Sequence, residues 1–347
     1  DLEYKDKHRL FSKTMYLRQS VDEGRISQGF SDAELTDIRR TRLRFFSNQL
    51  LMQQFGGAHV FDWAKDLKVD WLYTNATADR EDPKTRDYRY DEITPNTGEF
   101  AFSRRADSNQ TLFGDLKDKD ESWRVDVKLP LEPSPNYKFS AESGFITQNR
   151  TRNSGIQRFT YIPAGADARN PAILAQPSLE DILQPRFIGP NGFQVRDTTR
   201  PTDSFAAKMD LFSYYGKLDA NLFETVRISG GLRWEDMNQN VETFKSVGER
   251  SESIISRLDR VDMLPSVSAT WLISEKQQLR AGFSQTISRP DFRELSPAPF
   301  TDMNTNQETI GNPNLKQTDV TSYDARWEYY LSPNENILAG FFWKDLT

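Results

Sequence analysis

The sequence predicts an all-β chain: a transmembrane, antiparallel, up-and-down β-barrel with long extracellular loops that carry short helices. Three observations lead there. Five short turns, near Asp62–Asp66, Pro130–Asn136, Asn221–Thr225, Ile273–Gln277 and Ser332–Asn336, alternate with five long connections, roughly 21–41, 78–120, 149–203, 238–261 and 288–318. Short turns on one side and long loops on the other are the layout of an outer-membrane barrel. The segments between them are about 10–12 residues long, suited to a tilted membrane crossing, and alternate apolar with polar residues. Tryptophan and tyrosine gather near the ends of these segments, as two interfacial girdles would require.

Composition is compatible with this. The 347 residues are 28% charged with a net charge of -6, and mean hydropathy is -0.72. In a barrel strand only every second residue meets lipid, so the average conceals the membrane face. No apolar run approaches the ~20 residues of a membrane helix. Aromatic residues make up 12% of the chain, which argues against a disordered polar polymer. No basic tract marks a nucleic-acid partner. Cysteine is absent, which removes disulfides, thiolate metal sites and a cysteine nucleophile.

Eleven strands are expected: 10–20, 43–61, 66–77, 121–129, 137–148, 205–220, 226–237, 262–272, 278–287, 319–331 and 337–346. Leu67, Val69, Trp71 and Tyr73 oppose Lys68, Asp70 and Thr74. Trp123, Val125, Val127 and Leu129 alternate with Arg124, Asp126 and Lys128, then turn through prolines into Tyr137, Phe139, Ala141 and Phe145. Val226, Ile228, Gly230, Leu232 and Trp234 alternate with Arg227, Ser229, Arg233 and Glu235. The clearest hairpin sets Val267, Ala269, Trp271 and Ile273 against Leu279, Ala281, Phe283 and Ile287. The next sets Tyr323, Ala325, Trp327, Tyr329 and Leu331 against Ile337, Ala339, Phe341 and Trp343. Charged residues such as Asp324, Arg326 and Glu328 would be costly in a sandwich core and acceptable on a wet lumen wall. The aromatic girdle is assigned to Trp63, Tyr137, Trp271 and Tyr329 at the short turns, and Trp123, Trp234 and Trp343 at the long loops.

The loops have features of their own. Ser31–Asp32–Ala33–Glu34 has the form of a capping box and predicts a short helix over Leu35–Arg42, and Ser178–Leu179–Glu180–Asp181 predicts another. Six prolines between 163 and 201 stiffen the third loop. Long ordered loops on a rigid scaffold commonly carry binding. The acidic stretch Asp115–Glu121 reads as a solvated loop rather than a Ca²⁺ site. His8 and His59 are the only histidines and lie far apart in sequence, so a His-rich metal centre is excluded and a Ser-His-Asp triad is not expected. No phosphate loop or nucleophile elbow is present, so no enzyme activity, metal or cofactor is expected.

The run LPSVSATWLISEKQQLRAGFSQTISRPDFRELSP, followed by IGNPNLKQTDVTSYDARWEYYLSPNENILAGFFWKDL, resembles the TonB-dependent outer-membrane receptors. Family features are the Ser288–Arg289–Pro290 strand end, an extracellular loop, and the stretch Gly311 to Lys316. DLFSYYGKLDANLFETVRISGGLRWED at 210–236 resembles the family's mid-barrel hairpin. The resemblance is strongest over 203–347 and consistent in layout over 1–202. It implies a barrel of about twenty-two strands, of which about half would be present here, in the outer membrane of a Gram-negative bacterium. It also implies ligand capture outside the cell and import powered through TonB. Outer-membrane lipid would be a partner, and a surface lipoprotein lid is possible. Family members begin with a signal peptide, a TonB-contacting box and a plug, and end in a strand with a terminal aromatic; these are not found between Asp1 and Thr347. The whole chain, 1–347, is therefore read as an internal piece of the barrel domain, with the TonB contacts in the missing plug region. The Gly311–Lys316 stretch itself reads as turn formers that close a loop, ahead of any ligand contact.

Candidate ligand-binding residues in loops and rim are Arg104, Arg105, Arg150, Arg152, Arg289 and Arg293 for an anionic ligand, with Tyr161, Phe292 and Phe300 for stacking. The competing reading of each arginine is a solvated surface charge. Rival functions are a passive porin or assembly barrel, and a soluble β-rich carbohydrate-binding protein or enzyme. The soluble reading predicts that the odd-face aromatics are internal.

Overall fold

The computed structural model describes residues 1–32, 35–105, 108–200, 202–244, 253–301 and 308–347, with the side chains of 299–301 and 308 outside that set. Sixteen strands follow in chain order: β1 (Leu2–Tyr4), β2 (His8–Ser31), β3 (Thr36–Phe61), β4 (Leu67–Glu92), β5 (Phe100–Phe102), β6 (Gln110–Ser134), β7 (Tyr137–Pro163), β8 (Phe193–Asp197), β9 (Ser204–Leu222), β10 (Val226–Phe244), β11 (Ile254–Ser274), β12 (Gln277–Ser288), β13 (Pro299–Thr301), β14 (Glu308–Ile310), β15 (Thr318–Ser332) and β16 (Glu335–Leu346). Three short helices, α1 (Pro171–Leu174), α2 (Leu179–Ile182) and α3 (Phe292–Leu295), lie in the connections. The eleven long strands correspond one to one with those expected.

Fourteen of these strands pair antiparallel in one up-and-down sheet, β1-β2-β3-β4-β6-β7-β9-β10-β11-β12-β15-β16, with β5 added to β4 and β8 to β7, while β13 and β14 form a separate antiparallel pair. The five short turns fall at one end. At the turn after β9, Phe223 and Glu224 both have positive φ, 52° and 59°. That geometry matches the twist of the strands it joins, at some cost for residues other than glycine.

Polarity is distributed inside out. Val267, Trp271, Phe341 and Trp343 are exposed on one face, while Ser213, Glu235, Gln239, Asp262 and Glu328 are buried. Accessible area is 21297 Å², against about 14,000 Å² for a compact protein of this mass. An apolar outer face over a polar inner one is what lipid outside and a wet lumen inside demand. The soluble reading required internal aromatics, and these are outward.

The strands run much further than expected. β3 has 26 residues, roughly 85 Å at about 3.3 Å per residue, where a crossing needs only about 9–11 residues. Most of the expected loops are therefore paired strand. The connection expected over 21–41 shrinks to the four residues between β2 and β3, and 238–261 is largely β10 and β11. The helix expected over Leu35–Arg42 is replaced by β3, which begins at Thr36; Ala33 and Glu34 of its capping box lie outside the described residues. Asp115–Glu121 is also strand, within β6. Outside the expected crossing segments no lipid acts on every second residue, so the apolar alternation stops while backbone pairing continues. Two loop readings hold: Ser178 caps α2, its Oγ accepting from the Asp181 N–H at 3.2 Å, and the connection from β12 to β15 is long.

That last connection folds back onto the sheet. Phe292 and Leu295 of α3 are buried with Phe205, Ala207 and Val241. The α3 capping box at Asp291 and Glu294 fixes its first turn. The Asn312 N–H donates to the Glu294 carbonyl at 2.7 Å, and Gly311 sits against the Arg293 and Glu294 carbonyls, where a Cβ would lie 2.5 and 2.6 Å from the two oxygens. The Gly-Asn-Pro-Asn stretch is thus the clasp of this loop. On the opposite sheet face, α1 and α2 pack over Tyr88, Tyr90, Phe102 and Phe193.

Candidate ligand site

The inner face of the projecting hairpins carries arginines. On β3, Arg42 and Arg44 stand two apart and so share a face. On β4, Pro83 falls in a bulge where register shifts between Asp82 and Thr85. Proline cannot donate to a ladder, and bulges re-aim side chains. Here the bulge turns Asp82 and Thr85 to the same side, and the Thr85 hydroxyl donates to Asp82 at 2.7 Å. β7 adds Arg152 and Arg158, and the folded-back loop adds Arg293, Ser296 and Ala298. Together they enclose a cavity of about 300 Å³.

Its charges are paired in a recurring pattern. Arg42 meets Asp87 at 2.6 Å, and Arg158 meets Asp203 at 2.8 Å. Arg44 donates to Asp82 through Nε at 2.8 Å and Nη2 at 2.6 Å. Arg80 lies beside it; both guanidiniums cover the Phe46 ring, 4.6 and 4.8 Å from its centre. Arg150 grips Asp118 with two bonds, 3.1 and 2.8 Å, and Arg152 Nε reaches the same carboxylate at 2.8 Å. These two guanidiniums cover the Phe292 ring at 5.2 and 5.6 Å. Arg150 and Arg152 thus share one aspartate and one aromatic ring, and Arg152 also reaches Asp291 at 3.7 Å; Arg44 and Arg80 share a ring, while of these two arginines only Arg44 holds Asp82.

The ionisation of these groups follows from their neighbours, all beyond the crossing segments. Burial pushes the Asp118 carboxyl up, but the hydrogen bonds from Arg150 and Arg152 outweigh it and hold the group below its ordinary value. Burial, then the adjacent Arg44 charge, lowers Arg80. Burial also raises Asp115.

Of the residues expected from sequence, Arg152 and Arg293 line the cavity, and Arg150 stands beside it through Asp118. Phe292 is a buried core residue under two arginines. Arg289 lies in a separate network with Glu235 at 2.6 Å, Asp262 at 3.3 Å and Gln317 at 3.2 Å. Tyr161 packs against the cluster under α1 and α2. Arg104 and Arg105 are exposed and away from the cavity lining. Phe300 belongs to β13, and its side chain lies outside the described residues. Sequence reading missed Arg42, Arg44, Arg80 and Arg158. The available signal was the every-second-residue spacing of Arg40, Arg42 and Arg44, which only a strand turns into one face.

Trp63, Trp123, Tyr137, Trp271 and Trp343 are exposed, and Trp234 and Tyr329 are half-buried. Tyr137 and Trp271 belong to one cross-strand row through Leu222 and Val226. The two histidines, far apart in sequence, face each other across β2 and β3 with Nδ1 atoms 3.3 Å apart, and the Trp71 indole N–H donates to His59 Nε2 at 3.2 Å. Among the described residues no group of three or more His, Asp or Glu side chains is arranged to hold a metal.

A sequence profile of the family described as TonB dependent receptor-like, beta-barrel matches residues 19–347. No curated protein sequence matches the chain. Among solved structures, the siderophore receptor PiuA from Acinetobacter baumannii is 9% identical, with 97% of this chain and 56% of that one covered at a TM-score of 0.41. The ferric-catecholate import receptor Fiu from K12 E. coli is 10% identical, with 98% and 57% covered at 0.44. The ferric yersiniabactin uptake receptor FyuA from Yersinia pestis is 10% identical, with 97% and 50% covered at 0.43. The chain spans 50–57% of the length of these three proteins.

Proposed function

Because this chain belongs to the TonB-dependent receptor-like β-barrel family, we propose that it forms part of the wall of an outer-membrane receptor in a Gram-negative bacterium, which captures an extracellular ligand and imports it with energy delivered through TonB. The family match over 19–347 carries this reading. The inside-out polarity of the sheet supports it, since the apolar face suits lipid and the buried polar face suits a lumen. In this reading the eleven long strands are about half of a barrel of about twenty-two. Tyr137, Trp271 and their companions sit at the two membrane interfaces. The projecting hairpins form the extracellular mouth, and the arginine-lined cavity is where a ligand first meets the inner wall. A plug elsewhere in the polypeptide fills the lumen and contacts TonB.

The division of labour follows from the geometry. The paired strands hold Arg42, Arg44, Arg80, Arg152 and Arg158 on a rigid wall, and the α3 loop brings Arg293 to the same space. Capture is then mostly a matter of a preformed charged surface, with little ordering cost. The test is uptake by the full-length protein in cells with and without TonB, alongside membrane fractionation. The reading predicts outer-membrane location and uptake that stops without TonB. Recovery in the aqueous fraction, or uptake that persists without TonB, would defeat it.

A further inference from the structure

The two histidines lie at the short-turn end of the sheet, away from the arginine-lined cavity. His8 on β2 and His59 on β3 are register partners, with their Nδ1 atoms 3.3 Å apart. On the other side of His59, the Trp71 indole N–H of β4 donates to Nε2 at 3.2 Å. Gly57 leaves room for that bond. It stands opposite Trp71 in the register, and a Cβ there would lie 2.4 Å from the indole nitrogen and 2.7 Å from His59 Nε2. Tyr4 of β1 and Phe61 of β3 complete the group, with ring centres 6.4 and 5.5 Å from that of His8. Side chains of four strands, β1 to β4, therefore meet at one corner.

The bonds fix where the protons are. An indole N–H can only donate, so His59 Nε2 is bare and a neutral His59 carries its proton on Nδ1. That proton points at His8 Nδ1, which must accept it, leaving the His8 proton on Nε2. The relay from Trp71 through His59 to His8 is complete only while both rings are neutral. One added proton fits between the two Nδ1 atoms only if His59 moves its own proton to Nε2, against the indole N–H. A second leaves two cations facing each other at 3.3 Å. The charged and titratable groups around the pair are Glu3 and Tyr4 of β1, Asp6 and Lys7 in the turn after it, Arg9 of β2, Asp62 in the turn after β3, and Lys68 and Asp70 of β4. Lys7 is paired with Asp62, and Arg9 with Asp1 at 2.7 Å. Among the described residues none of them is hydrogen-bonded to either imidazole, so none replaces a lost bond.

We propose that Trp71, His59 and His8 form a proton-sensitive latch, which fastens β1 and the start of β2 to β3 and β4 at neutral pH and lets that corner open in mild acid. Imidazole is the side chain whose charge changes between about pH 5 and 8. The latch does not depend on which ligand the protein takes, and it acts at the opposite end of the wall from the arginine-lined cavity.

Hydrogen exchange of the full-length protein in lipid vesicles tests it, at about pH 7.5 and about pH 5.5, with rates corrected for the intrinsic effect of pH. The readout is the peptides spanning 1–12 and 56–63; the Val60 N–H, held by the Lys7 carbonyl at 2.8 Å, reports the corner directly. Opening should rise about fivefold in acid, the weight of one net hydrogen bond, while a peptide spanning 226–234 stays unchanged. His8→Gln and His59→Gln should each abolish the pH response. Trp71→Phe should open the corner at neutral pH and shrink the response, because the first added proton then displaces no bond. If either histidine variant fails to fold, Trp71→Phe carries the comparison. Equal protection of the wild-type corner at both pH values overturns the inference. So does a pH response that survives in both histidine variants, which would assign it to the neighbouring carboxylates, or one that is undiminished in Trp71→Phe.

Discussion

Replacing Arg289 with methionine should loosen the α3 loop rather than touch the ligand. Arg289 Nη2 lies 2.6 Å from Glu235 and 3.3 Å from Asp262, and its Nε bonds Gln317 at 3.2 Å. The three charged side chains are 18%, 8% and 6% exposed. Removing one partner from a buried ion pair costs about 3–5 kcal/mol, because the other charge stays buried. Glu235 keeps Arg233 at 2.5 Å, and Asp262 keeps Gln317 at 2.9 Å. The cost should therefore fall at the low end, about 3 kcal/mol. At about 1.36 kcal/mol per tenfold, the loop would open more than a hundredfold more often. Hydrogen exchange of peptides spanning 291–298 and 310–317 reads this directly, since the Asn312 N–H is held by the Glu294 carbonyl. Adding Glu235→Gln and Asp262→Asn to Arg289→Met removes the stranded charges and should recover most of the protection. A change below threefold in the single variant, or no recovery in the triple, would refute the assignment of Arg289 to the loop anchor.

Three further outcomes are expected. Gly311→Ala sets a Cβ against the Arg293 and Glu294 carbonyls at 2.5 and 2.6 Å; overpacking of this kind costs about 1–3 kcal/mol, visible as faster exchange in the same loop, and wild-type protection would contradict it. Val267→Arg places a charge on the exposed apolar face of β11; a lipid-facing site near the midplane predicts a loss of about 2–4 kcal/mol in refolding into bilayers, and a neutral effect would argue for water there. Asp118 is the pH-sensitive group: its folded-state pKa is held down by Arg150 and Arg152 against the push of burial. Its contribution is therefore complete above the unfolded value of about 3.9 and is lost as pH falls through the lower folded value. Denaturation midpoints should hold steady down to about pH 5 and drop below about 4, and Asp118→Asn should be less stable at neutral pH and flatter in acid. An identical acid profile in that variant would contradict the pairing.

The membrane-crossing part of each strand was legible because lipid imposes a rule on every second residue. Val267, Ala269 and Trp271 obey it, and so do Trp123, Val125 and Val127. The extensions were not legible because no such rule acts on them. Thr36 to Arg44 has only Ile38 and Leu43 as apolar residues, on opposite strand faces, and its capping-box prefix pointed to a helix; what makes it strand is pairing with β2 and β4, which lies outside any local window. The cavity suffered similarly. Arg152 and Arg293 could be picked as loop arginines, but Arg42, Arg44, Arg80 and Arg158 become one site only through cross-strand register and the bulge at Pro83. Arg289 looked like a rim charge because the sequence does not place Glu235 and Asp262, 54 and 27 residues away, beside it. His8 and His59 met for the same reason, opposite each other in the β2–β3 register.

The inside-out sheet can be tested most directly with spin labels. Residues 1–347 hold no cysteine; with any cysteine elsewhere in the full-length protein replaced, single cysteines at successive positions from Met263 to Ile273 on β11 can be labelled in lipid vesicles. Accessibility to oxygen, which concentrates in lipid, and to a water-soluble nickel chelate should then alternate with period two. Oxygen maxima are expected at Met263, Val267, Ala269 and Trp271, and minima at Ser266, Ser268 and Thr270. Uniform access to the nickel chelate, or no alternation, would contradict a membrane-spanning wall and the receptor built on it.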